Sequence, residues 1–454
     1  MGKYFGTDGI RRKANEFNEE FLKKIANSLA VELKQEKLEL RVLIGGDTRI
    51  SSKYIIDIII KTLLKNGIEV MNAGIIPTPA ISYLTDEYNC GASIMITASH
   101  NSSEYNGIKI LNNQGLKANT KFIDKLEYGI DNFEIENNLS DLNLSPIDCH
   151  NEALLKYKKH LLSLCPINLE GITVLLDCAN GATSVMAEEI FRELKANVKA
   201  INVATNFGAA INENCGSTHL ETIKNVLLES VSFGVAFDGD GDRSLFVVKD
   251  SNGRIKTVDG DHVIAIIANY LKSKNNLKNN MIATTVMANQ GLLNWAKQNN
   301  INVFTTDVGD TFVKEKMDEY GICVGGEQSG HIILEGQNTG DGILTALTLA
   351  IIIKMSNKTL IELSNIITIT PQKIINIPAT EDEKAKIEVN EVKQYIENLN
   401  SNLALTGSRV NLRPSGTEPL IRATIWAPTN EEIEVITKEL LEYIENILNK
   451  QKNR

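Results

Sequence analysis

The chain reads LRVLIGGDT at residues 40–48, which is an apolar, strand-like run and a glycine turn, and a helical pattern of apolar residues follows. The same order returns as ITVLLDCANG at 172–181 and as MIATTVMANQG at 281–291, each time ahead of another helical stretch. Strands that alternate with helices predict parallel sheets, and starts about 110–130 residues apart predict repeated domains. We therefore expect three similar α/β domains with mixed, largely parallel sheets.

The end of the chain follows a different pattern. Residues 421–426 alternate like an antiparallel strand, and residues 384–399 and 431–450 have the period of amphipathic helices. This pattern predicts a C-terminal α+β domain. Polar connectors then divide the 454 residues into four domains around a central cleft, namely 1–152, 153–254, 255–369 and 370–454.

The charge balance excludes some classes of partner. With 47 Lys and Arg against 57 Asp and Glu, the net charge is −10, whereas nucleic-acid coats and binders of anionic membranes need a basic surface. The longest largely apolar run, 343–353, is far shorter than the ~20 residues of a membrane span. Six scattered cysteines without a CxxC pair indicate reduced thiols and a cytoplasmic protein.

The first candidate site is TASHN at residues 97–101, directly after the apolar run 92–96. A serine just beyond the carboxyl end of a strand lies where α/β proteins bind ligands, so Ser99 is a candidate nucleophile. The alternative is an ordinary strand-end turn whose Ser and Asn side chains bond locally. The surroundings differ from G-x-S-x-G, which disfavours a serine hydrolase.

The second candidate site is DGDGDR at 238–243, after the strand-like FGVAF. Three carboxylates at alternate positions repel one another unless a cation lies between them, and oxygen ligands suit Mg²⁺. An EF-hand is excluded because Arg243 stands where its glycine belongs. Asp238, Asp240 and Asp242 are therefore the candidate metal ligands, and the alternative is a solvated acidic turn.

The third candidate site is GGEQSGH at 325–331. A carboxylate, a hydroxyl and an imidazole close together can hold a polyol, which makes Glu327, Ser329 and His331 candidates for sugar binding. A purely structural histidine is the alternative for His331.

The fourth candidate site is RPSGTEP at 413–419, ahead of the alternating strand. Arg413 offers a bidentate fork for phosphate, Ser415 and Thr417 offer hydroxyls, and Gly416 lets backbone amides approach an oxyanion. The alternative is a Pro/Gly turn, and no Walker A sequence occurs. The sequence thus offers a candidate nucleophile, a metal site, a polyol-binding loop and a phosphate-binding loop. Together these sites indicate a phosphorylated sugar as substrate.

These motifs, together with FGTDGIR at 5–11, follow one another in the order of the α-D-phosphohexomutase superfamily, which the chain resembles from end to end. The opening and the loop GEQSGH have the forms of its bacterial glucosamine-phosphate branch, whereas the phosphomannomutase/phosphoglucomutase branch usually has Met at the position of Gln328. The resemblance implies interconversion of glucosamine 6-phosphate and glucosamine 1-phosphate for UDP-N-acetylglucosamine and cell-wall synthesis. A mutase of the other branch is the alternative, and a non-catalytic sugar-phosphate-binding protein is a further one.

The resemblance also implies roles. Ser99 would carry a phosphoryl group, primed by a hexose 1,6-bisphosphate, and would pass it to the substrate to form a 1,6-bisphosphate intermediate. Lys109 would be the general base, with His331 as the alternative. One Mg²⁺ per chain would be held by an oxygen of phosphorylated Ser99 and by Asp238, Asp240 and Asp242.

The remaining implied residues bind the substrate. Arg11 and Arg243 would add positive charge beside the transferring group, and the substrate would be held by Glu327, Ser329, Arg413, Ser415, Gly416, Thr417 and Arg422. The sequence departs from the family pattern at Ser102, usually Pro, at Arg12, usually Gly, and at Thr311, usually Arg, which leaves fine specificity open. The implied partner is a small phosphosugar, without nucleic acid or membrane, and a homodimer is compatible with the resemblance.

Overall fold

Four β-sheets follow one another along the chain in the computed structural model, which describes residues 2–132, 145–415 and 419–449. The first sheet contains β1 (Ile10–Lys13), β2 (Arg41–Gly46), β3 (Glu69–Ile75), β4 (Ala92–Ile96), β5 (Tyr105–Asn112) and β6 (Ile147–Asp148). Its helices are α1 (Glu19–Gln35), α2 (Ile50–Lys65), α3 (Thr78–Glu87) and α4 (Thr120–Asn132). The strand order is β1-β5-β4-β2-β3-β6.

The second sheet has the order β11-β10-β9-β7-β8. Its elements are α5 (His150–Ser163), β7 (Thr173–Asp177), α6 (Ala187–Glu193), β8 (Asn197–Ile201), α7 (Glu221–Asn225), β9 (Phe233–Phe237), β10 (Ser244–Lys249) and β11 (Ile255–Val258).

The third sheet has the order β13-β12-β14-β15. Its elements are α8 (Gly260–Ser273), β12 (Met281–Thr285), α9 (Gln290–Gln298), β13 (Asn302–Thr306), α10 (Asp310–Tyr320), β14 (Val324–Gly326), β15 (Ile332–Leu334), α11 (Gly342–Ser356) and α12 (Leu360–Ser364).

The fourth sheet is antiparallel, with the order β16-β18-β17. Its elements are β16 (Gln372–Pro378), α13 (Glu381–Ile387), α14 (Asn390–Leu403), β17 (Arg409–Pro414), β18 (Leu420–Trp426) and α15 (Asn430–Asn449). This α+β unit matches the expectation for the end of the chain.

The first three sheets repeat one arrangement. The orders β5-β4-β2-β3, β10-β9-β7-β8 and β15-β14-β12-β13 each contain three parallel strands flanked by one antiparallel strand. The three apolar runs that looked alike in the sequence form β2, β7 and β12, which take the same place in each sheet. The prediction of three similar α/β domains with mixed sheets is confirmed.

Two sequence-based details differ from the structure. The second sheet extends to Val258, so the expected division at 254/255 falls inside the β10–β11 hairpin. The domain boundaries themselves stay a prediction. The continuous helix expected over 384–399 is wrong, because α13 ends at Ile387 and Val389 is extended, with φ −70° and ψ 152°. Ile387 and Val392 are buried in the same apolar cluster, whereas one straight helix would point residues five apart about 140° away from each other.

The apolar core distinguishes the fourth unit from the rest. One continuous cluster of buried side chains includes Leu43, Tyr157, Phe246 and Leu347 and therefore joins the first three units. The described residues from 370 onward are absent from that cluster and form smaller ones of their own. In the described ranges, no helix is both long and apolar enough to cross a membrane.

We predict that Gly107→Ala destabilises the protein and displaces the strand that carries Lys109. A Cβ at Gly107 would lie 2.4 Å from the carbonyl oxygen of Thr97 and 2.7 Å from that of Ile10, and backbone atoms cannot move aside as a flexible side chain can. Overpacking of this kind costs about 1–3 kcal/mol. The free energy of unfolding in urea measures it, with Gly6→Ala as the control because its nearest atom would be 3.7 Å away. Equal stability of the two variants would contradict the prediction.

Candidate active site

The loop after the third parallel strand of each α/β unit carries one of the predicted motifs. Ser99 follows β4, Asp238 follows β9 and Glu327 follows β14, and the chain then turns into the antiparallel strand of the same sheet. The three loops are therefore topologically equivalent. They lie at the carboxyl ends of strands, where open α/β sheets bind ligands.

Ser99 is fully buried, and its φ of 52° is in the left-handed region, which costs a non-glycine residue about 1–3 kcal/mol unless its surroundings hold it. Its Oγ donates to Asp238 Oδ2 at 2.7 Å and lies 3.3 Å from His100 Nδ1. Burial, and then the charges of Arg243 and Arg11, lower the pKa of His100 to about 4, so the imidazole is neutral at neutral pH. The serine hydroxyl therefore lies between a carboxylate and a neutral ring.

The three aspartates of the acidic loop form a buried cluster. Oxygen atoms of Asp238, Asp240 and Asp242, one from each residue, lie within 4.8 Å of one another. Asp240 Oδ1 and Asp242 Oδ1 are buried and have no hydrogen-bond partner in the described part of the chain. Burial, and then repulsion by the other two carboxylates, raise the pKa of Asp238 well above its usual value. Buried carboxylate oxygens that lack partners are suitable ligands for a hard divalent cation, so these residues fit Mg²⁺.

A glycine brings the acidic loop, residues 238–243, next to the serine loop, residues 97–104. A Cβ at Gly239 would lie 2.7 Å from the carbonyl oxygen of Ser99 and 2.9 Å from Asn212 Nδ2. Any other residue would therefore push the two loops apart. The contact between Ser99 and Asp238 depends on this close approach.

Lys109 projects from β5 into the same cluster. Its Nζ is 2.8 Å from Asp240 Oδ2, 3.1 Å from Asp242 Oδ2 and 3.3 Å from Asp8 Oδ2. Burial alone would lower the pKa of Lys109, but these carboxylates raise it well above its usual value. Burial would likewise raise the pKa of Asp242, but Lys109 above all lowers it to about 2. Lys109 is therefore a charged partner of the aspartates in this arrangement.

Arg11 and Arg243 each contact a residue of the serine loop. Arg11 Nη1 donates to Asn101 Oδ1 at 3.3 Å, and Arg243 Nη1 is 3.4 Å from His100 Nδ1. Burial alone would lower the pKa of Arg243, but Asp242 and then other carboxylates raise it. Both arginines therefore bring fixed positive charge close to Ser99.

The candidates for sugar binding in GGEQSGH, residues 325–331 and here called the sugar loop, lie close to the acidic loop. Ser329 Oγ donates to Glu327 Oε2 at 3.3 Å. His331 Nε2 is 3.9 Å from Asp242 Oδ2 and 3.5 Å from Asp310 Oδ2, and His331 Nδ1 is buried without a partner among the described residues. The imidazole is therefore buried next to Asp242 and Asp310, whereas Ser329 is exposed.

Arg413 and Arg422 face each other in the β17–β18 register. Burial, and then the charge of Arg422, lower the pKa of Arg413, while Glu327 opposes them. Arg413 therefore lies within electrostatic reach of the sugar loop. Arg422 Nε donates to Asn376 Oδ1 at 3.0 Å.

The phosphate loop is described as far as Ser415. Ser415 is buried, and its backbone N–H donates to the carbonyl oxygen of Leu420 at 2.9 Å. Gly416 and Thr417 lie outside the described residues, and the roles of all three in phosphate binding stay predictions.

Sequence reasoning missed an ion-pair bridge between the first and third units. Lys117 Nζ lies 2.6 Å from Asp8 Oδ1 and 2.6 Å from Asp310 Oδ1. A cavity of about 190 Å³ adjoins this bridge and is lined in part by Lys109 and Thr311. Asp8 was visible as the acidic residue of FGTDGIR, but nothing local in the sequence marks Lys117 as its partner.

Sequence reasoning also missed the buried cation that holds the serine loop. Arg49 is fully buried, and its Nε donates to Asp47 Oδ2 at 2.9 Å. Its other nitrogens donate to the backbone carbonyl oxygens of Ser99 (3.0 Å), Asn101 (2.7 Å) and Ser102 in the serine loop and of Tyr105 (2.9 Å) at the start of β5. Two charges directly past the carboxyl end of β2 were the signal that could have drawn attention to this pair.

A residue of the second unit binds the same carbonyl groups. Asn212 Nδ2 donates to the carbonyl oxygens of Ser99 at 2.8 Å and Asn101 at 2.9 Å. Arg49 and Asn212 therefore hold the strained backbone of Ser99 from two domains at once.

We predict that Arg49→Lys lowers kcat by up to about 100-fold with little change in KM. A single ammonium group cannot reach four carbonyl oxygens, and a displacement of the nucleophile by about 1 Å can cost that much. Steady-state kinetics with sugar phosphates measures the effect, and circular dichroism checks the fold. Arg192→Lys is the control, because Arg192 makes an exposed i,i+4 pair with Glu188. An unchanged kcat in Arg49→Lys would show that the loop does not need the guanidinium.

Comparison with protein families covers most of the chain. Residues 2–135, 155–253 and 259–368 match the phosphoglucomutase/phosphomannomutase alpha/beta/alpha domains I, II and III, in that order. Residues 374–442 match the C-terminal domain of the same family.

Individual relatives agree with this result. The chain is 42% identical to phosphoglucosamine mutase of Finegoldia magna over 450 residues, which are 98% of this chain and 99% of the relative. A phosphoglucomutase/phosphomannomutase family protein of Burkholderia thailandensis has the same fold, with a TM-score of 0.78, 19% identity and 99% of both chains covered. N-acetylphosphoglucosamine mutase of Aspergillus fumigatus, solved with GlcNAc-6P and magnesium, superimposes with a TM-score of 0.66 at 16% identity, covering 98% of this chain and 95% of that one. The chain belongs to the phosphoglucomutase/phosphomannomutase family of phosphohexomutases.

Proposed function

We propose that the protein is a phosphoglucosamine mutase, an isomerase that interconverts glucosamine 6-phosphate and glucosamine 1-phosphate. The observation that carries the proposal is the 2.7 Å hydrogen bond from Ser99 Oγ to Asp238 in a buried cluster of three carboxylates. A phosphoryl carrier and a cation site must lie this close, because phosphoryl transfer depends on positioning and on neutralising charge. The relative from Finegoldia magna, which bears this name at 42% identity, supports the choice of amino sugar.

The proposed cofactor is Mg²⁺, held by Asp238, Asp240, Asp242 and an oxygen of phosphorylated Ser99. When bound, the cation neutralises charge on the transferring phosphoryl group. The unpartnered oxygens of Asp240 and Asp242 support this assignment, as does the magnesium in the Aspergillus fumigatus relative.

In the proposed reaction, a hexose 1,6-bisphosphate first transfers one phosphoryl group to Ser99 Oγ; the hexose monophosphate leaves, and the serine proton passes to its freed oxygen. The bond between Ser99 Oγ and phosphorus then breaks as the free hydroxyl of the substrate attacks, and the hydroxyl proton passes to a base. The product of this step is glucosamine 1,6-bisphosphate, which turns around in the cleft. Ser99 then takes back the other phosphoryl group, and the proton returns to the new hydroxyl.

Two side chains next to Asp242 are candidates for the proton transfer. Lys109 is held in its charged form by the neighbouring carboxylates and must give up its proton before it can act as the base. His331, 3.9 Å from Asp242 Oδ2, is the alternative. The pH dependence of kcat for Lys109→Arg and His331→Gln distinguishes the two.

The other site residues bind the substrate in this proposal. Glu327 and Ser329 hold sugar hydroxyls, and Arg11 and Arg243 add charge near the transferring group. The non-reacting phosphate is held by Arg413, Ser415, Gly416, Thr417 and Arg422. The substrate is a small phosphosugar, and the reaction takes place in the cytoplasm as a step towards UDP-N-acetylglucosamine.

We predict that glucosamine 6-phosphate has the highest kcat/KM of three substrates. The comparison uses glucosamine, glucose and mannose 6-phosphates with the same Mg²⁺ and bisphosphate primer. A higher kcat/KM for glucose or mannose phosphate would assign the protein to the other branch of the family.

We predict that Asp240→Ala abolishes Mg²⁺-dependent turnover while the protein stays folded. The substitution removes one of three anionic ligands and a partner of Lys109. Calorimetric titration with Mg²⁺, kinetics and circular dichroism measure the outcome. Asp57→Ala, at an exposed position of α2, is the control. Full activity of Asp240→Ala would refute the metal assignment.

A further inference from the structure

Gln328 lies between Glu327 and Ser329 in the sugar loop, but it contacts residues outside that loop. Its Nε2 donates to Asp259 Oδ2 at 3.2 Å, and its backbone carbonyl accepts from the N–H of Gly260 at 3.1 Å. These contacts tie it to the start of α8.

The other end of the Gln328 amide meets the fourth domain. Gln372 Nε2 donates to Gln328 Oε1 at 3.4 Å. Gln372 Oε1 in turn accepts from Trp426 Nε1 at 2.8 Å and from Asn289 Nδ2 at 3.2 Å. A buried indole N–H needs a partner, and Trp426 is fully buried, so the orientation of the Gln372 amide is fixed.

These contacts lie at one end of the β16-β18-β17 sheet. Gln372, Trp426 and Arg409 form one row across the three strands, and Arg409 donates to the carbonyl oxygen of Ala288 at 2.6 Å. The guanidinium carbon of Arg409 also lies 4.1 Å from the centre of a Trp426 ring. This row is therefore attached to the third domain.

The arginines of the phosphate site form another row of the same sheet. Arg422 faces Arg413 on one side and Asn376 on the other. The two rows are four residues apart, which is about 13 Å in a strand. A rotation of the sheet about its attached row would therefore move both arginines relative to the sugar loop.

Because the large apolar cluster does not extend into the described residues of the fourth domain, the polar contacts of this row would limit such a rotation. We propose that Gln328 is a positioning residue that couples the sugar loop to the phosphate-binding arginines through Gln372 and Trp426. The inference rests on the proposed function for the identity of the substrate, but the contacts of Gln328 do not depend on which sugar is bound.

A double-mutant cycle tests the coupling. Gln328→Met and Gln372→Met each remove a hydrogen-bonding amide while keeping side-chain length. Each is expected to raise KM for glucosamine 6-phosphate about three- to tenfold with kcat within about twofold, as for the loss of one hydrogen bond. The double variant should be no worse than the worse single one. Gln298→Met, at an exposed position of α9, is the matched control and should behave like the wild type.

Two kinetic outcomes would overturn the proposal. If Gln328 bound the sugar directly, the effects of the two substitutions would multiply in the double variant. If Gln328→Met left KM unchanged, the coupling would be absent.

Hydrogen exchange of the ligand-free enzyme needs no substrate, so it separates a failure of this inference from a failure of the proposed function. Asn289 also accepts from the backbone N–H of Thr370 at 2.9 Å, so loosening the row should expose that connector. Peptides covering 366–372 are expected to exchange faster in Gln328→Met and Gln372→Met than in Gln298→Met. Equal exchange in all three variants would overturn the proposal.

Discussion

The crowding of three buried carboxylates next to a serine is the constraint on which the rest of the site depends. Asp238, Asp240 and Asp242 are buried and repel one another, and burial together with this repulsion raises the pKa of Asp238. Lys109 and Arg243 supply part of the compensating charge, and an Mg²⁺ ion would supply the rest. A chain with a net charge of −10 can therefore bind an anionic phosphosugar, because the field in a cleft depends on the residues that line it.

The repeated topology explains how distant segments reach one cleft. The serine, acidic and sugar loops each follow the third parallel strand of their own sheet, so the same fold presents a different chemistry three times. The shared apolar core fixes these units together. The fourth unit has its own core, and it contacts the sugar loop through the hydrogen bond from Gln372 to Gln328, which makes Gln328 important for the orientation of that unit.

Much of the fold and of the site could be predicted because the informative residues are close together in the sequence. The three strand–turn–helix runs and the acidic loop are local patterns, and the structure confirms the α/β repeats. The supports of Ser99 were missed because they are distant in sequence: Arg49 is 50 residues from Ser99, and Asn212 is 113 residues away. The break between α13 and α14 was missed for a similar reason, since it depends on which core Ile387 and Val392 share.

Mass spectrometry of the intact protein with peptide mapping tests phosphoryl transfer through Ser99 most directly. After incubation with glucose 1,6-bisphosphate and Mg²⁺, we expect one phosphoryl group on Ser99. If that group carries an isotopic label, adding glucosamine 6-phosphate should move the label from the serine into glucosamine 1-phosphate, while Ser99 ends the turnover carrying the substrate's original phosphoryl group. A protein that never accepts phosphate, or that carries it on another residue such as Ser102 while remaining active, would contradict this mechanism.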